Sequence, residues 1–257
     1  TDDLSRRVLL CPLVGMSFRE YMNFKYKVSI PTYTLDDVLS HQAEPLGVES
    51  VLSVFKDYLR EGYYPYFPQP QYHDRLLQTV NTVLEVDIPM YEHFLPSTVA
   101  KLKMLMQIIA ESVPFKPNYS KLSQLTGIDR KLLGSYILLL EKAGLVKQLY
   151  ESVSGVMGLA KVQKVYLDNT NLAYALSGEP NIGNLRETFF LSQMSVLYDV
   201  RESPVSDFLV EGKTFEVGGQ KKTSRQVQGM PNAFVVKDDI EYGYMNYVPL
   251  WAFGLLY

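Results

Sequence analysis

Between residues 97 and 167 the apolar residues recur three times at helical spacing and then twice at strand spacing. No other feature restricts the fold as much. Helices are predicted over 97–112, over 119–125 with a stop at Thr126-Gly127, and over 130–142 with Asp129 as cap and Ala143-Gly144 as terminator. On the third, Leu132, Leu133, Tyr136, Ile137 and Leu140 are expected to face inward. Strands are predicted at 146–150 and 162–167, around a Ser/Gly-rich turn at 152–158. Three helices and a hairpin is the plan of a winged helix-turn-helix.

Upstream, Ser17 and Glu20 form a capping box for a helix over 17–26, and Thr34 with Asp37 does the same at 34–44. Val48, Val51, Leu52, Phe55, Tyr58 and Leu59 share a helical face that Gly62 ends. Three prolines within residues 65–70 make 63–72 an aromatic-rich loop. Helical spacing resumes at 74–88 and is expected to end at Pro89. Downstream, a helix is predicted at 185–197. Strands at 207–210 and 214–217 are joined by a turn at Glu211-Gly-Lys213, another lies at 233–237, and 248–256 is expected to close the unit as a strand. The fold class expected is mixed α/β.

With 257 residues, 47% hydrophobic and 21% charged, the chain is long enough for two domains at roughly 100–200 residues each, and its composition is that of a globular protein. The longest candidate apolar run, 248–257, falls short of the ~18 residues a membrane span needs. No signal peptide is evident and Cys11 stands alone, which gives no disulfide framework. A cytoplasmic protein without membrane contact is expected. The start at Thr1, directly before a strand-like run, suggests that something upstream was removed. Residues 101–164 hold ten Lys/Arg against four Asp/Glu, although the whole chain carries −3. A basic middle of this kind suits an anionic partner or a solvated basic face.

Gly212-Lys213-Thr214 resembles the end of a phosphate-binding loop. The glycine needed five residues earlier is Asp207, and a strand rather than a helix follows, so no ATP site is read here. His41, His73 and His93 lack metal-ligand spacing, and Asn118-Tyr-Ser120 is read as a chance glycosylation pattern. Asp207 and Glu216 lie on adjacent antiparallel strands and could share Mg2+, with Glu187 on the preceding helix as a third carboxylate. Spacing alone favours ordinary edge charges.

Several stretches together resemble one family. Leu4-Ser-Arg-Arg7 and Gly15-Met-Ser-Phe-Arg-Glu-Tyr21 look like the junction that leaves the AAA module in a group of bacterial and archaeal P-loop ATPases. Phe55-Lys-Asp-Tyr-Leu-Arg-Glu-Gly-Tyr-Tyr-Pro65, Tyr136-Ile-Leu-Leu-Leu-Glu-Lys-Ala-Gly-Leu-Val146 and Lys164-Val-Tyr-Leu-Asp168 are similar to later stretches of that group. So is Pro249-Leu-Trp-Ala-Phe-Gly-Leu-Leu-Tyr257.

The resemblance implies the end of an ATPase module and a helical linker at 1–92, a winged helix at 93–167, and a restriction-endonuclease-like α/β unit at 168–257. ATP and Mg2+ then belong to the intact protein, where Arg6 and Arg7 would approach nucleotide, and this chain alone has no cofactor. Arg130, Lys131 and Ser135 on the recognition helix, with Lys147 and Lys161 beside the wing, would meet duplex DNA. A protein partner is the other expected occupant of the winged helix. The family pattern maps a nuclease site onto Glu187, Asp207 and Glu216 and requires a lysine two residues after the last, where this chain has Gly218. Lys221 and Lys222 come later and are expected to swing toward solvent. The expectation is therefore a non-catalytic region moved by ATP turnover upstream, with a degenerate nuclease-like site. The rivals are a Mg2+-dependent DNase, to be favoured if a lysine reaches Asp207 and Glu216, and a pure protein-interaction module.

Overall fold

A computed structural model describes residues 13–45, 47–92, 94–112, 114–152, 161–223 and 229–257. The chain is mixed α/β, and seven strands join in one mixed sheet among the described residues. Arg6, Arg7, Cys11 and His93 lie outside the described residues, as does most of the turn expected at 152–158.

The N-terminal helices begin where their caps dictate. At α1 (Phe18–Tyr26) the Ser17 hydroxyl accepts from the Glu20 N–H at 3.1 Å, and the Glu20 carboxylate accepts from the Ser17 N–H at 2.9 Å. Thr34 and Asp37 repeat the arrangement at α2 (Leu35–Leu39). Helix α3 (Val51–Glu61) ends at Gly62, and α4 (Tyr72–Thr82) follows the aromatic loop. The helix expected to stop at Pro89 does not. It widens into a π-helical turn, Val83–Asp87, whose end is marked by Ile88 donating to the Val83 carbonyl, and continues as α5 (Ile88–Glu92). Pro89 has no N–H, and its ring would collide with the preceding turn of a regular helix; the wider turn directly before it relieves that collision.

Helices α6 (Pro96–Ser112), α7 (Tyr119–Thr126) and α8 (Arg130–Lys142) precede β1 (Val146–Glu151) and β2 (Val162–Leu167), which pair antiparallel. On α8, Leu133, Ile137 and Leu140 are buried, but Leu132 is 47% exposed, because it sits about 100° around the helix from Leu133. A helix absent from the sequence expectation, α9 (Thr170–Ser177), follows, capped by the Asn169 side chain accepting from the Leu172 N–H. Then come α10 (Ile182–Met194), β3 (Arg201–Glu202), β4 (Phe208–Val210), β5 (Lys213–Gly218), β6 (Ala233–Lys237) and β7 (Tyr247–Pro249). Glu211 and Gly212 have φ of 48° and 73°, the mirror-image two-residue turn that suits the twist of a β4–β5 hairpin.

The sheet order is β2-β1-β3-β4-β5-β6-β7. The meander β3–β4–β5 is antiparallel, whereas β1–β3, β5–β6 and β6–β7 are parallel. The β1–β3 pairing, Tyr150 opposite Arg201 and Glu151 opposite Glu202, carries the sheet across the boundary expected at 167/168. Packing also ignores the boundary expected at 92/93. Phe18, Phe55 and Tyr58 from α1 and α3 share one core with Phe189, Phe190, Phe215 and Phe253, so these helices are part of the C-terminal unit's core rather than a linker. A second core joins α4 through α9 to the hairpin through Leu105, Ile137, Val165 and Leu172.

The strand expected at 248–256 is only the three residues of β7, after which Leu250–Leu255 forms a 3-10 helix whose residues are all buried. A strand would turn alternate residues toward opposite faces, and this segment is apolar on every side. A Cβ on Gly254 would stand 2.5 Å from the Phe18 Cβ, so α1 rests directly on it.

Candidate functional site

The three carboxylates picked out in the sequence converge beside the β4–β5 hairpin. Phe208 pairs with Phe215, so extending the register by one residue sets Asp207 opposite Glu216. Glu187 reaches the same place from α10. Its Oε2 accepts from the Tyr166 hydroxyl at 2.8 Å and from Lys164 Nζ at 3.3 Å, and Lys164 Nζ is also 3.8 Å from Asp207 Oδ1. The other Asp207 oxygen accepts from the Val217 N–H at 2.8 Å. Glu216 is 2% exposed, takes a hydrogen bond from the Ser206 hydroxyl and pairs with Lys222.

Lys222 is thus not turned to solvent as expected, whereas Lys221 is exposed. The turn closed by the Lys222 N–H on the Gly219 carbonyl at 2.9 Å folds the chain back toward β5, which brings the side chain to Glu216. Sequence reasoning missed Lys164 and Tyr166 as members of this group. Their shared parity on β2, two residues apart, was the available signal. Burial pushes the Asp207 carboxyl up, the Glu187 charge adds to it, and the Val217 N–H and Lys164 oppose it; the result is about 6. A carboxyl so placed beside two others is a recurrent property of sites that hold a cation or move a proton.

Metal fit follows from the donor set. Among the described residues no three His, Cys, Asp or Glu side chains form a group able to hold a metal ion. A closed protein cage is therefore not what this site offers. Mg2+ is commonly held by one or two carboxylates together with water and substrate phosphates. Here the oxygens of Asp207 and Glu216 already face protein donors, Lys164 and the Val217 N–H at Asp207 and Lys222 and the Ser206 hydroxyl at Glu216, so a cation would have to displace a lysine.

The residues expected to meet DNA are less uniform. Arg130, Lys131 and Ser135 are exposed on α8, and Lys161 is exposed at the loop end of the hairpin, directly before β2. Lys147 is not beside the wing. It pairs with Tyr166 at the base of the hairpin, and its Nζ lies 3.3 Å from Asp168 Oδ1. Leu125, Leu132 and Leu138 are 51%, 47% and 41% exposed on α7 and α8, an apolar component the basic residues did not suggest. Among the described residues no helix is long and apolar enough to cross a membrane.

A second polar cluster serves the fold. Fully buried Asn171 donates to the carbonyls of Tyr58 and Leu59 and accepts from the Tyr63 N–H and the Tyr72 hydroxyl. Tyr63 also donates to Asp168 at 3.2 Å, and Tyr64 accepts from Asn169 at 3.0 Å. The aromatic loop is thereby locked to α9 and the end of β2. No curated protein and no solved structure matches the chain. A family model described as a domain of unknown function (DUF8612) matches residues 52–182, from α3 to the start of α10 and so half of the chain, and the chain belongs to that family.

Proposed function

We propose that the chain hydrolyses phosphodiesters of nucleic acid in a Mg2+-dependent way at Glu187, Asp207 and Glu216, within a restriction-endonuclease-like unit. In this reading α6–α8 and the β1–β2 hairpin act as a winged helix that holds the duplex through Arg130, Lys131, Ser135 and Lys161. The observation that carries it is the pairing of lysines with the acid pair: Lys164 beside Asp207 and Lys222 on Glu216. Gly218 argued against chemistry because the family pattern calls for a lysine at that position and because Lys221 and Lys222 were expected to swing toward solvent. The carboxylates lie beyond the family-matched segment, whereas Lys164 and Tyr166 lie within it.

Hydrolysis consumes one water. Its oxygen bonds to phosphorus, one P–O ester bond breaks, and a proton ends on the leaving sugar oxygen. Mg2+ when bound supplies a more acidic water and neutralises phosphate charge. Asp207 and Glu216 would hold the cation, Lys164 would keep Glu187 and Asp207 from repelling each other, and Tyr166 would fix Glu187. Nucleotide handling, with ATP and Mg2+ near Arg6 and Arg7, is assigned by resemblance to an upstream ATPase module that would move this region.

Binding tests the site apart from cutting. On a labelled, cleavage-resistant phosphorothioate duplex, Mg2+ is expected to raise affinity about tenfold more for the unaltered chain than for Asp207→Asn/Glu216→Gln, because the cation offsets acid–phosphate repulsion, roughly 1.4 kcal/mol. Equal responses to Mg2+ would count against the site.

The exposed leucines of α7 and α8 favour a second reading, in which this surface docks a protein rather than DNA. Salt-sensitive duplex retention that disappears in Arg130→Glu/Lys131→Glu would argue against that reading.

A further inference from the structure

We propose that the cavity between the end of α2 and the loop after β6 binds an organic polycation of the polyamine class, in which ammonium groups are joined by short hydrocarbon stems. The proposal does not depend on the hydrolytic reading above. The cavity has a volume of about 510 Å³, within the roughly 300–1,000 Å³ usual for small-molecule sites. Its lining divides by chemistry. Val38, Val51, Trp251 and Ala252 are buried and supply an apolar part, whereas Glu44, Glu49 and Glu241 are exposed and supply carboxylates. Among the described residues no Lys or Arg lines the cavity, and none of the three carboxylates is in an ion pair.

The walls come from distant parts of the chain and are pinned to each other. His41, directly after the Ser40 cap of α2, donates from Nε2 to the Met245 carbonyl at 3.1 Å; a carbonyl only accepts, so that nitrogen carries the proton. A Cβ on Gly243 would stand 2.6 Å from His41 Cε1, so the ring rests against bare backbone there. The Trp251 indole N–H donates to the Ile240 carbonyl at 3.2 Å. These anchors fall on either side of Glu241 and Tyr242 and set both walls before a ligand arrives.

Charge then selects the occupant. A phosphate or a carboxylate would meet three like charges with no cation to offset them. Among the described residues no three acidic or histidine side chains form a group able to hold a metal ion, so the carboxylates are spread along the rim rather than gathered on one point. A polyamine matches that spread, because methylenes separate its ammonium groups. The same methylenes can lie on the apolar part while the charges stay at the rim, and their burial adds affinity that charge alone does not provide.

Trp251 is the one tryptophan of the chain, so its fluorescence reports on this cavity. The experiment is titration of the full chain with spermidine at constant ionic strength, followed by calorimetry and tryptophan emission together. One saturable event with a Kd below about 1 mM is expected in both. Glu44→Gln/Glu241→Gln removes two charges from exposed positions and is expected to weaken binding about tenfold, the combined effect of two exposed ion pairs. Ala43→Phe leaves every charge in place, fills cavity space and is expected to abolish the event. Thermal unfolding checks that each variant folds; where Ala43→Phe does not, the glutamine pair, which replaces only exposed side chains, decides. Mg2+ in place of spermidine is expected to leave the emission unchanged. No saturable binding below about 1 mM, undiminished binding in either folded variant, or an emission change that Mg2+ reproduces would each overturn the assignment.

Discussion

Replacing Asp207 with asparagine is expected to stabilise the chain by about 2–3 kcal/mol at pH 7.5 when a chelator is present, at roughly 1.4 kcal/mol per pKa unit. Burial, then the Glu187 charge, raises the Asp207 carboxyl from its ordinary 3.8 to about 6 in the folded state. The folded protein therefore binds this proton more tightly than the unfolded chain does. The stability that Asp207 contributes is complete below about pH 4 and is lost as pH rises through 6. Asparagine cannot ionise, and its carbonyl can still accept from the Val217 N–H now bonded to Asp207. Denaturation curves at intervals from pH 4 to 8 should show the two proteins converging toward pH 4 and the asparagine variant pulling ahead above 6. A variant less stable at pH 7.5, with an unchanged pH profile, would show that Asp207 is an ordinary satisfied charge. On the proposed reading, stability given up at neutral pH accompanies a carboxyl that would hold a cation.

The opposite effect is expected at Asn171. Leucine there, similar in volume but without hydrogen-bonding groups, is expected to destabilise the fold by about 3–5 kcal/mol, since each buried polar group left unpaired costs roughly 1–3 kcal/mol. The Tyr63 N–H and the Tyr72 hydroxyl lose their acceptor, and the Tyr58 and Leu59 carbonyls lose a donor. The Tyr58 carbonyl keeps the Gly62 N–H, which limits the total. Urea unfolding of Asn171→Leu measures it directly. A loss below about 1 kcal/mol would mean that water or a shifted loop satisfies these groups, and that the aromatic loop is not held by Asn171.

Sequence carried the parts of this fold that depend on near neighbours. The Ser17–Glu20 and Thr34–Asp37 caps, the Gly62 stop and the Glu211-Gly212 hairpin turn are each decided within four residues, and each is found where its residue types predict. Pairings distant in sequence were not legible in this way. Strand β3 has two residues and no periodicity to show, yet it joins β1 and fuses what read as two units. The apolar faces of α1 and α3 marked them as helices without showing what they would pack on. At the site, the hairpin spacing brought Asp207 and Glu216 together on paper. Lys164 arrives from a strand far away in sequence, and the route of Lys222 depends on empty space at Gly218, which no pattern of residue types records.

The most direct measurement of the central claim is the metal dependence of plasmid cleavage in the unaltered chain and in Asp207→Ala. Relaxed and linear products are predicted to accumulate in Mg2+ or Mn2+ and not in chelator, with a rate in the variant lower by about 10²-fold or more. No cleavage by the unaltered chain in either metal, or equal cleavage by the variant, would contradict the assignment of a hydrolytic site to Glu187, Asp207 and Glu216.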